Sequence, residues 1–500
     1  MTGKRLDLVL VNPGGRKRIY QSLATRLAAI EPPVWAGLMA EFVRRKGISV
    51  AILDTDAFDL EPHEAAQRIE EMNPTLVAVV AYGHQPSAST QVMPSAGAIC
   101  AAIKQSDPTR KVILVGGHVA ALPERTLNEE SVDWVADGEG LYTLVELVEC
   151  LRAGGDEKKV QGLWYRDGEG ATLTSQAPLV TDVDAAMPSM AWDLLSMDRY
   201  RAHNWHCFGE ASRTPYASIY TTLGCPYRCT FCCIQAPFKS GEKVLGYKES
   251  SNSYRFWSVE SVLAQLEVLV TRYGVKHIKV ADEMFVLNRR HITGICNGII
   301  ERGYDLNFWA YARVDTVKDD MVDLLKKAGF NWLAFGIEAA DAKVRKGVLK
   351  GYDQEDIRSC LERVRAGGIY VIGNYIFGLP DDDLASMQAT LDLAMDLNCE
   401  FGNFYCTMAY PGSQLYDFAQ REGWKLPDTW AGYSQHAVDT LPLPTRHLTA
   451  GEVISFRDKA FHKYYENPAY LEMIERKFGR ETAEGVREMT SVRIERRFAT

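Results

Sequence analysis

Short apolar runs alternate with helical segments over most of this 500-residue chain, and that alternation is its strongest constraint. Between residues 5 and 150 the runs are LDLVLVNP, ISVAILD, TLVAVVAYG, KVILVGG and VDWVADGEG. They are rich in consecutive apolar residues, the mark of strands buried on both faces in a parallel sheet. Helical stretches fill the gaps, for example Trp35 to Lys46, closed by Gly47, and Glu61 to Met72. The expected fold class is α/β, beginning with a five-stranded parallel, Rossmann-like (flavodoxin-like) domain over residues 1–150. Ligands of such sheets bind at the carboxyl ends of the strands. Here those ends are Asn12-Pro13-Gly14-Gly15, Asp54-Thr55-Asp56, Tyr82-Gly83-His84-Gln85, Gly116-Gly117-His118 and Asp137-Gly138-Glu139-Gly140.

Residues 151–213 break the pattern. GLWYRD and ATLTS flank the turn Asp167-Gly168-Glu169-Gly170 and predict a hairpin followed by a linker. From Ala217 the alternation resumes with ASIYTTLG, HIKVADEMF, NFWAYARVD, WLAFGIEAA, YVIGNYIFGLP and FGNFYCTMAYPG. Ser258 suits the N-cap of a helix whose apolar positions run Val259, Val262, Leu263, Leu266, Leu269 and Val270. Six βα units over residues 214–415 predict a partial (βα)6 barrel, with its chemistry at the carboxyl ends of the strands. Residues 416–500 read as a helical C-terminal region. Its aromatics, including Trp424, Trp430, Tyr433, Phe461, Tyr464, Tyr465 and Tyr470, are expected chiefly to pack those helices. Lining the barrel mouth is the alternative.

Hydrophobic residues make up 46% of the chain and charged residues 24%, which permits large cores. The net charge of -9 argues against a dedicated nucleic-acid binder. MTGKRLDLVLVNPGG has too short an apolar run for a signal peptide, and no stretch approaches the roughly 18 apolar residues of a membrane span. A cytoplasmic protein with a small-molecule substrate is expected. In a reducing compartment, clustered cysteines point to metal or catalysis rather than to disulfides.

One cluster stands out: Gly224-Cys225-Pro226-Tyr227-Arg228-Cys229-Thr230-Phe231-Cys232-Cys233. Three thiolates spaced C-x3-C-x2-C on one loop can each take one iron of a cubane, leaving the fourth iron for a small molecule. Buried free cysteines and a zinc site are the alternatives. Closed structural zinc needs four ligands, and His203 and His206 would have to supply what the loop lacks. Cys233 leaves open which of the last two cysteines binds iron, and the spacing favours Cys232.

This segment resembles the signature of the radical S-adenosylmethionine (SAM) superfamily, over residues 217–415. The resemblance implies a 4Fe–4S cluster on Cys225, Cys229 and Cys232, with SAM bound to the unligated iron and cleaved to a 5′-deoxyadenosyl radical. It further implies SAM-binding roles for Asp282, Glu283, Arg313 and Glu338, with Glu283 and Arg313 as the catalytic candidates. Gly373 through Pro380, on the fifth strand, would lie along adenine with Gly373 as the contact, and Tyr410 closes the sixth. For each charged residue the alternative is a structural ion pair at the barrel mouth. An electron donor such as flavodoxin or ferredoxin is the implied protein partner.

The first domain lacks G-x-G-x-x-G and G-x-x-x-x-G-K-[ST], which disfavours dinucleotide and P-loop sites. Small residues still crowd its ligand edge, where they permit close approach to a large flat ligand; tight turns are the plainer explanation. A parallel domain, a hairpin linker and then the cysteine motif resemble the cobalamin-binding branch of the superfamily. That resemblance implies cobalamin contacts from Tyr82, Gly83, His84, Gln85, Ser87, Ser89, Gly116, Gly117, His118, Gly138, Glu139 and Gly140. The sequence has no D-x-H-x-x-G, so cobalt would lack a His lower ligand. The branch implies methylation of an unactivated carbon through methylcobalamin and the deoxyadenosyl radical. The alternatives are a non-methylating cyclase, ring-contracting enzyme or dehydratase of the same architecture, a domain that binds no cobalamin, and a non-catalytic cobalamin or metal sensor.

Overall fold

The computed structural model describes residues 5–499 apart from 17, 18, 20, 22–27, 84, 169 and 353. His84 thus lies outside the described residues. Two parallel sheets organise the chain. The first has the order β2-β1-β3-β4-β5-β6-β7, from β1 (Leu8–Asn12), β2 (Val50–Asp54), β3 (Leu76–Val80), β4 (Val112–Val115), β5 (Trp134–Ala136), β6 (Leu163–Asp167) and β7 (Gly170–Leu173). Strands β1 to β5 pair in parallel, and β3 and β4 are buried throughout, as their unbroken apolar sequences require. The hairpin β6–β7 joins this sheet antiparallel along β5. It therefore extends the first domain instead of belonging to a linker.

The order 2-1-3-4-5 reverses direction between β1 and β3, and the switch point of such a sheet is where its ligand crevice opens. The helix Val34–Arg44 follows β1 and is buried from Val34 to Val43. Gly37 sits against Met190 and accepts a hydrogen bond from Ala191 N at 3.1 Å, so the connecting segment covers the helix on its far side. Its residues are apolar on nearly every side, and the one buried charge, Glu41, is paired with Arg44, so the helix can be enclosed this way.

The second sheet runs β15-β14-β13-β12-β11-β8, all parallel. Its members are β8 (Tyr216–Ile219), β11 (His277–Val280), β12 (Asn307–Ala312), β13 (Phe330–Glu338), β14 (Tyr370–Phe377) and β15 (Phe401–Cys406). The run ASIYTTLG is not one strand. It breaks after Ile219, and β9 (Thr222–Gly224) leaves the barrel to pair antiparallel with β10 (Tyr254–Phe256). Ser258 caps the helix Val259–Tyr273 by accepting from Ser261 N, and Gly274 closes it in the left-handed conformation.

The segment before β8 plugs the base of this open barrel. Trp205 stacks on Phe401 at 5.5 Å and meets Trp309 and Trp332 edge-on at 5.2 and 5.6 Å. The tail packs against the same side, where Phe478 stacks on Trp332 and Tyr465 meets Phe401. Tyr464, Tyr465 and Tyr470 donate their hydroxyls to the carbonyls of Cys399, Gly402 and Glu400. Those three pack helices onto β15, as expected, whereas Trp430 and Tyr433 join the core of the first domain. Among the described residues no helix is long and apolar enough to cross a membrane.

Candidate active site

Cys225, Cys229 and Cys232 follow β9 and line one cavity of about 280 Å³. Gly224 turns the chain into this loop with φ +87°, and a Cβ there would collide with the Ser253 carbonyl, so only glycine fits. The loop is held from outside. Asn252 Nδ2 donates to the carbonyls of Cys225 and Tyr227 at 2.9 and 2.8 Å, and Gln235 Nε2 donates to Cys225 O at 2.8 Å. All three thiols are free. Burial pushes Cys225 up to about 12 and Cys232 well above its usual value, so ligation of iron would have to displace their protons.

The chemistry of this wall fits an iron–sulfur cluster. Among the described residues, no three His, Cys, Asp or Glu side chains converge on one ion, as a mononuclear zinc cage would require. A cubane takes one thiolate per iron and needs no such convergence. Cys233 also lines the cavity and is buried, and burial pushes its thiol up to about 12.

Glu283, Arg313, Glu338 and Tyr410 share this cavity with the cysteines. Arg313, beyond β12, makes a two-point ion pair with Asp315 at 2.9 and 3.0 Å and lies 4.1 Å from the Tyr227 ring centroid. Its Nη1 is buried with no hydrogen-bond partner, a donor left for an anionic ligand. Glu338 ends β13 with φ +64°, at a register shift between β13 and β14. Its carboxylate pairs with Lys350, and Tyr352 donates its hydroxyl to the Ile337 carbonyl at 3.2 Å. A Cβ on Gly336 would collide with that ion pair, so the missing side chain keeps the barrel floor open. Burial, with Asp282 beside it, pushes the Glu283 carboxyl up to about 7, against the pull of Lys279.

Two expectations for the barrel need correction. Asp282 does not face the cavity. It is fully buried, accepting from Thr221 N at 2.6 Å, Thr221 Oγ1 at 2.5 Å and Thr222 N at 3.1 Å. It satisfies the amides freed where β8 ends. Gly373 points away from the interior, toward the Tyr375 ring. Side chains alternate along a strand, so its neighbours Asn374 and Ile376 are the residues that line the cavity.

A second cavity opens at the carboxyl ends of β1 to β3, lined by Asn12 to Arg16, Trp35, Asp56, Tyr82 and Gly83. This is the β1/β3 switch point. The Tyr82 ring stacks on Trp35 at 4.1 Å, and its hydroxyl donates to Glu139 O at 3.3 Å. Gln85 and Ser87 line the cysteine cavity instead, and Gln91 borders both. Gln91 Nε2 donates to the Tyr410 hydroxyl at 3.2 Å, tying the two domains together at this point.

Of the remaining first-domain candidates, Ser89, Gly116 and Gly140 pack within the domain, while Gly117, His118, Gly138 and Glu139 meet residues of the later chain. Ser89 donates to the Ala81 carbonyl and accepts from His118 N at 2.8 Å. His118 lies 3.1 Å from Thr90 Oγ1 and packs edge-on against Trp430 at 4.3 Å. Gly116 abuts the Ala81 carbonyl, while Gly117 and Gly138 face the Pro237–Ser240 segment. Glu139 is buried in an ion pair with Arg255 at 2.7 Å and accepts from Val180 N, and Gly140 packs on Val115. The β4 and β5 edges are thus covered by the barrel's own chain, and the open crevice lies at β1 to β3. Trp35, Gln91 and Lys350 are site residues that sequence reasoning missed, whereas Asn374 lies in the stretch expected along adenine.

Comparison with known proteins agrees with this arrangement. Residues 219–394 match the radical SAM superfamily, and residues 20–148 match the B12 binding domain. An uncharacterized methyltransferase of Pyrococcus horikoshii is 28% identical over 469 residues, covering 94% of each chain. The anaerobic magnesium-protoporphyrin IX monomethyl ester cyclase of Cereibacter sphaeroides is 24% identical over 93% of this chain and 71% of its own. The fold matches the radical SAM methyltransferase TsrM from Kitasatospora setae, solved with tryptophan and a SAM analogue, with a TM-score of 0.69 at 18% identity over 98% and 99% of the two chains. With a B12 binding domain followed by a radical SAM domain, the chain belongs to the cobalamin-binding branch of the radical SAM superfamily.

Proposed function

We propose that this chain is a cobalamin-dependent radical SAM methyltransferase that acts on an unactivated carbon of a small molecule. The observation that carries the reading is the cleft itself, in which Gln91 borders both the β1/β3 crevice and the cysteine cavity. A ligand laid in the crevice would face the cysteine loop across that side chain. When bound, the cofactors supply a 5′-deoxyadenosyl radical for hydrogen abstraction and a methyl group for the resulting carbon.

In this reading Cys225, Cys229 and Cys232 hold the cluster as thiolates. Arg313 Nη1 donates to the carboxylate of SAM, and the Glu338–Lys350 pair borders the same ligand. Glu283, with a carboxyl poised near neutral pH, is the group placed to hold or release a proton at the cavity wall. Trp35 and Tyr82 give the crevice an aromatic wall for cobalamin, and the Gln91–Tyr410 contact restricts water at the junction. An electron donor of the flavodoxin or ferredoxin class and a cytoplasmic location complete the proposal.

Anaerobic protein reconstituted with iron, sulfide and hydroxocobalamin, then given SAM, reductant and a deproteinised small-molecule extract, tests it. A methyltransferase releases S-adenosylhomocysteine and 5′-deoxyadenosine in matching amounts. The second reading, supported by the cyclase relative, predicts 5′-deoxyadenosine without matching S-adenosylhomocysteine. A fully reconstituted sample that cleaves no SAM would leave only the sensor.

A further inference from the structure

The barrel interior holds a cavity of about 210 Å³ beyond the cysteine cavity, with largely apolar walls and a few polar side chains. Ala334 and Gly336 leave the middle of β13 without bulk. Trp309, Tyr311, Phe401 and Phe461 contribute aromatic walls. Such surfaces suit a flat ring.

Two interior asparagines sit side by side, because Asn374 on β14 is in register with Asn403 on β15. Their hydrogen bonds run one way. Asn374 Nδ2 donates to the Phe335 carbonyl at 3.1 Å, which turns its Oδ1 toward β15. Asn403 Nδ2 donates to that Oδ1 at 2.9 Å. The Asn403 amide is thereby oriented, and its Oδ1 has no partner among the described residues. A carbonyl oxygen at the end of such a chain calls for an N–H or O–H donor.

The cavity is electrically neutral where the ring would lie. Lys279 is paired with Glu31 at 3.3 Å and Arg457 with Asp458 at 2.7 Å. His436, held down to about 3 by burial and by Arg457 and Arg496, is uncharged. The outer end differs. A wider cavity between the C-terminal helices shares the walls Arg457, Phe461 and Met489 with this one. Asp458 and Glu466 border it too, paired with Arg457 and Arg493, whereas Lys459 and Lys463 on the same border have no acidic partner among the described residues. Unpaired cations at one opening stand out on a chain of net charge -9.

We propose that the barrel takes a flat, neutral ring whose N–H or O–H group donates to Asn403 Oδ1, with an anionic appendage held at Lys459 and Lys463. The substrate then enters between the C-terminal helices and meets the cysteine cavity from below, leaving the domain cleft to the cofactor. This rests on the methyltransferase reading only for what happens to the ring afterwards.

Three probes test it on the reconstituted holoenzyme by calorimetry, without turnover: 6-hydroxy-2-naphthoate, 6-methoxy-2-naphthoate and 2-naphthol. The hydroxy acid is expected to bind about tenfold more tightly than the methoxy acid, which has no donor. The Asn403→Leu variant should abolish that preference. The hydroxy acid should also bind about tenfold more tightly than 2-naphthol, an advantage lost in Lys459→Ala/Lys463→Ala, whose positions lie outside the proposed cofactor contacts. Equal binding of hydroxy and methoxy acids to the unaltered protein would overturn the proposal, and so would absence of binding by all three. Because the ligand-side comparison uses unaltered protein, misfolding of a variant cannot rescue or sink it. Because binding alone is read, failure here is separable from failure of the methyltransferase reading, which the product ratio tests.

Discussion

The Asp282 carboxylate holds the Thr221 amide at 2.6 Å and the Thr221 hydroxyl at 2.5 Å, at the point where β8 stops and the chain turns toward the cysteines. The two residues follow the paired strands β8 and β11, so this contact sets the position of the cysteine loop relative to the barrel. Asp282→Leu removes the oxygen that the Thr221 and Thr222 amides share and leaves both amides unpaired in the interior. The expected cost is about 1–3 kcal/mol, read as a lower urea midpoint. Iron content per chain after reconstitution should fall with it. Unchanged iron loading would show that the loop is positioned by Asn252 and Gln235 alone.

Cys232 and Cys233 are adjacent and both line the cavity. If the spacing of the motif decides which one binds iron, Cys225→Ala, Cys229→Ala and Cys232→Ala each abolish the cubane signal, while Cys233→Ala keeps it. Mössbauer or EPR spectra of anaerobically reconstituted variants give the answer. A cluster that survives Cys232→Ala and disappears in Cys233→Ala would move the third ligand by one residue.

What could be read from the sequence was what is local. Continuous apolar runs revealed buried parallel strands, and three cysteines within eight residues revealed the loop. The errors arose where pairing between distant segments decides the outcome. The β1/β3 crevice exists because β3 pairs with β1 on the side opposite β2, which no single strand records. The loops after β4 and β5 carry glycines suited to a ligand, yet the Pro237–Ser240 segment and Trp430 lie against them. Asp282 sits at a strand end, as site carboxylates do, but the broken strand beside it claims both its oxygens. Gly373 missed by one residue, and a one-residue slip on a strand exchanges its faces.

The Glu338–Lys350 pair is buried on both sides, with relative exposures of 6% and 9%. Glu338 also has a positive φ, a conformation that side chains other than glycine rarely adopt. Lys350→Met leaves an unpaired buried carboxylate, and removing one partner of such a pair costs about 3–5 kcal/mol. The urea midpoint should drop accordingly, and adding Glu338→Gln should recover part of the loss. If the pair also borders SAM, Lys350→Met weakens SAM binding in calorimetry even where the fold is kept by low temperature. A double variant no more stable than Lys350→Met would show that the carboxylate is not the source of the cost.

His118 joins the first domain to the C-terminal region and makes that junction sensitive to acid. Its ring is buried between Thr90 and Trp430, and burial, helped by Arg125, holds it down to about 3 from an ordinary value of 6.5. The folded protein therefore binds this proton less readily than the unfolded chain does. The corresponding stability is fully present above pH 6.5 and is lost progressively as pH falls toward 3. A shift of this size amounts to roughly 4–5 kcal/mol by the linkage relation. His118→Gln keeps a polar group near Thr90 but does not titrate, so its urea midpoint should be lower at neutral pH and fall less steeply between pH 6.5 and 4. Parallel slopes for the two proteins over that range would mean that other groups, His436 among them, carry the acid sensitivity.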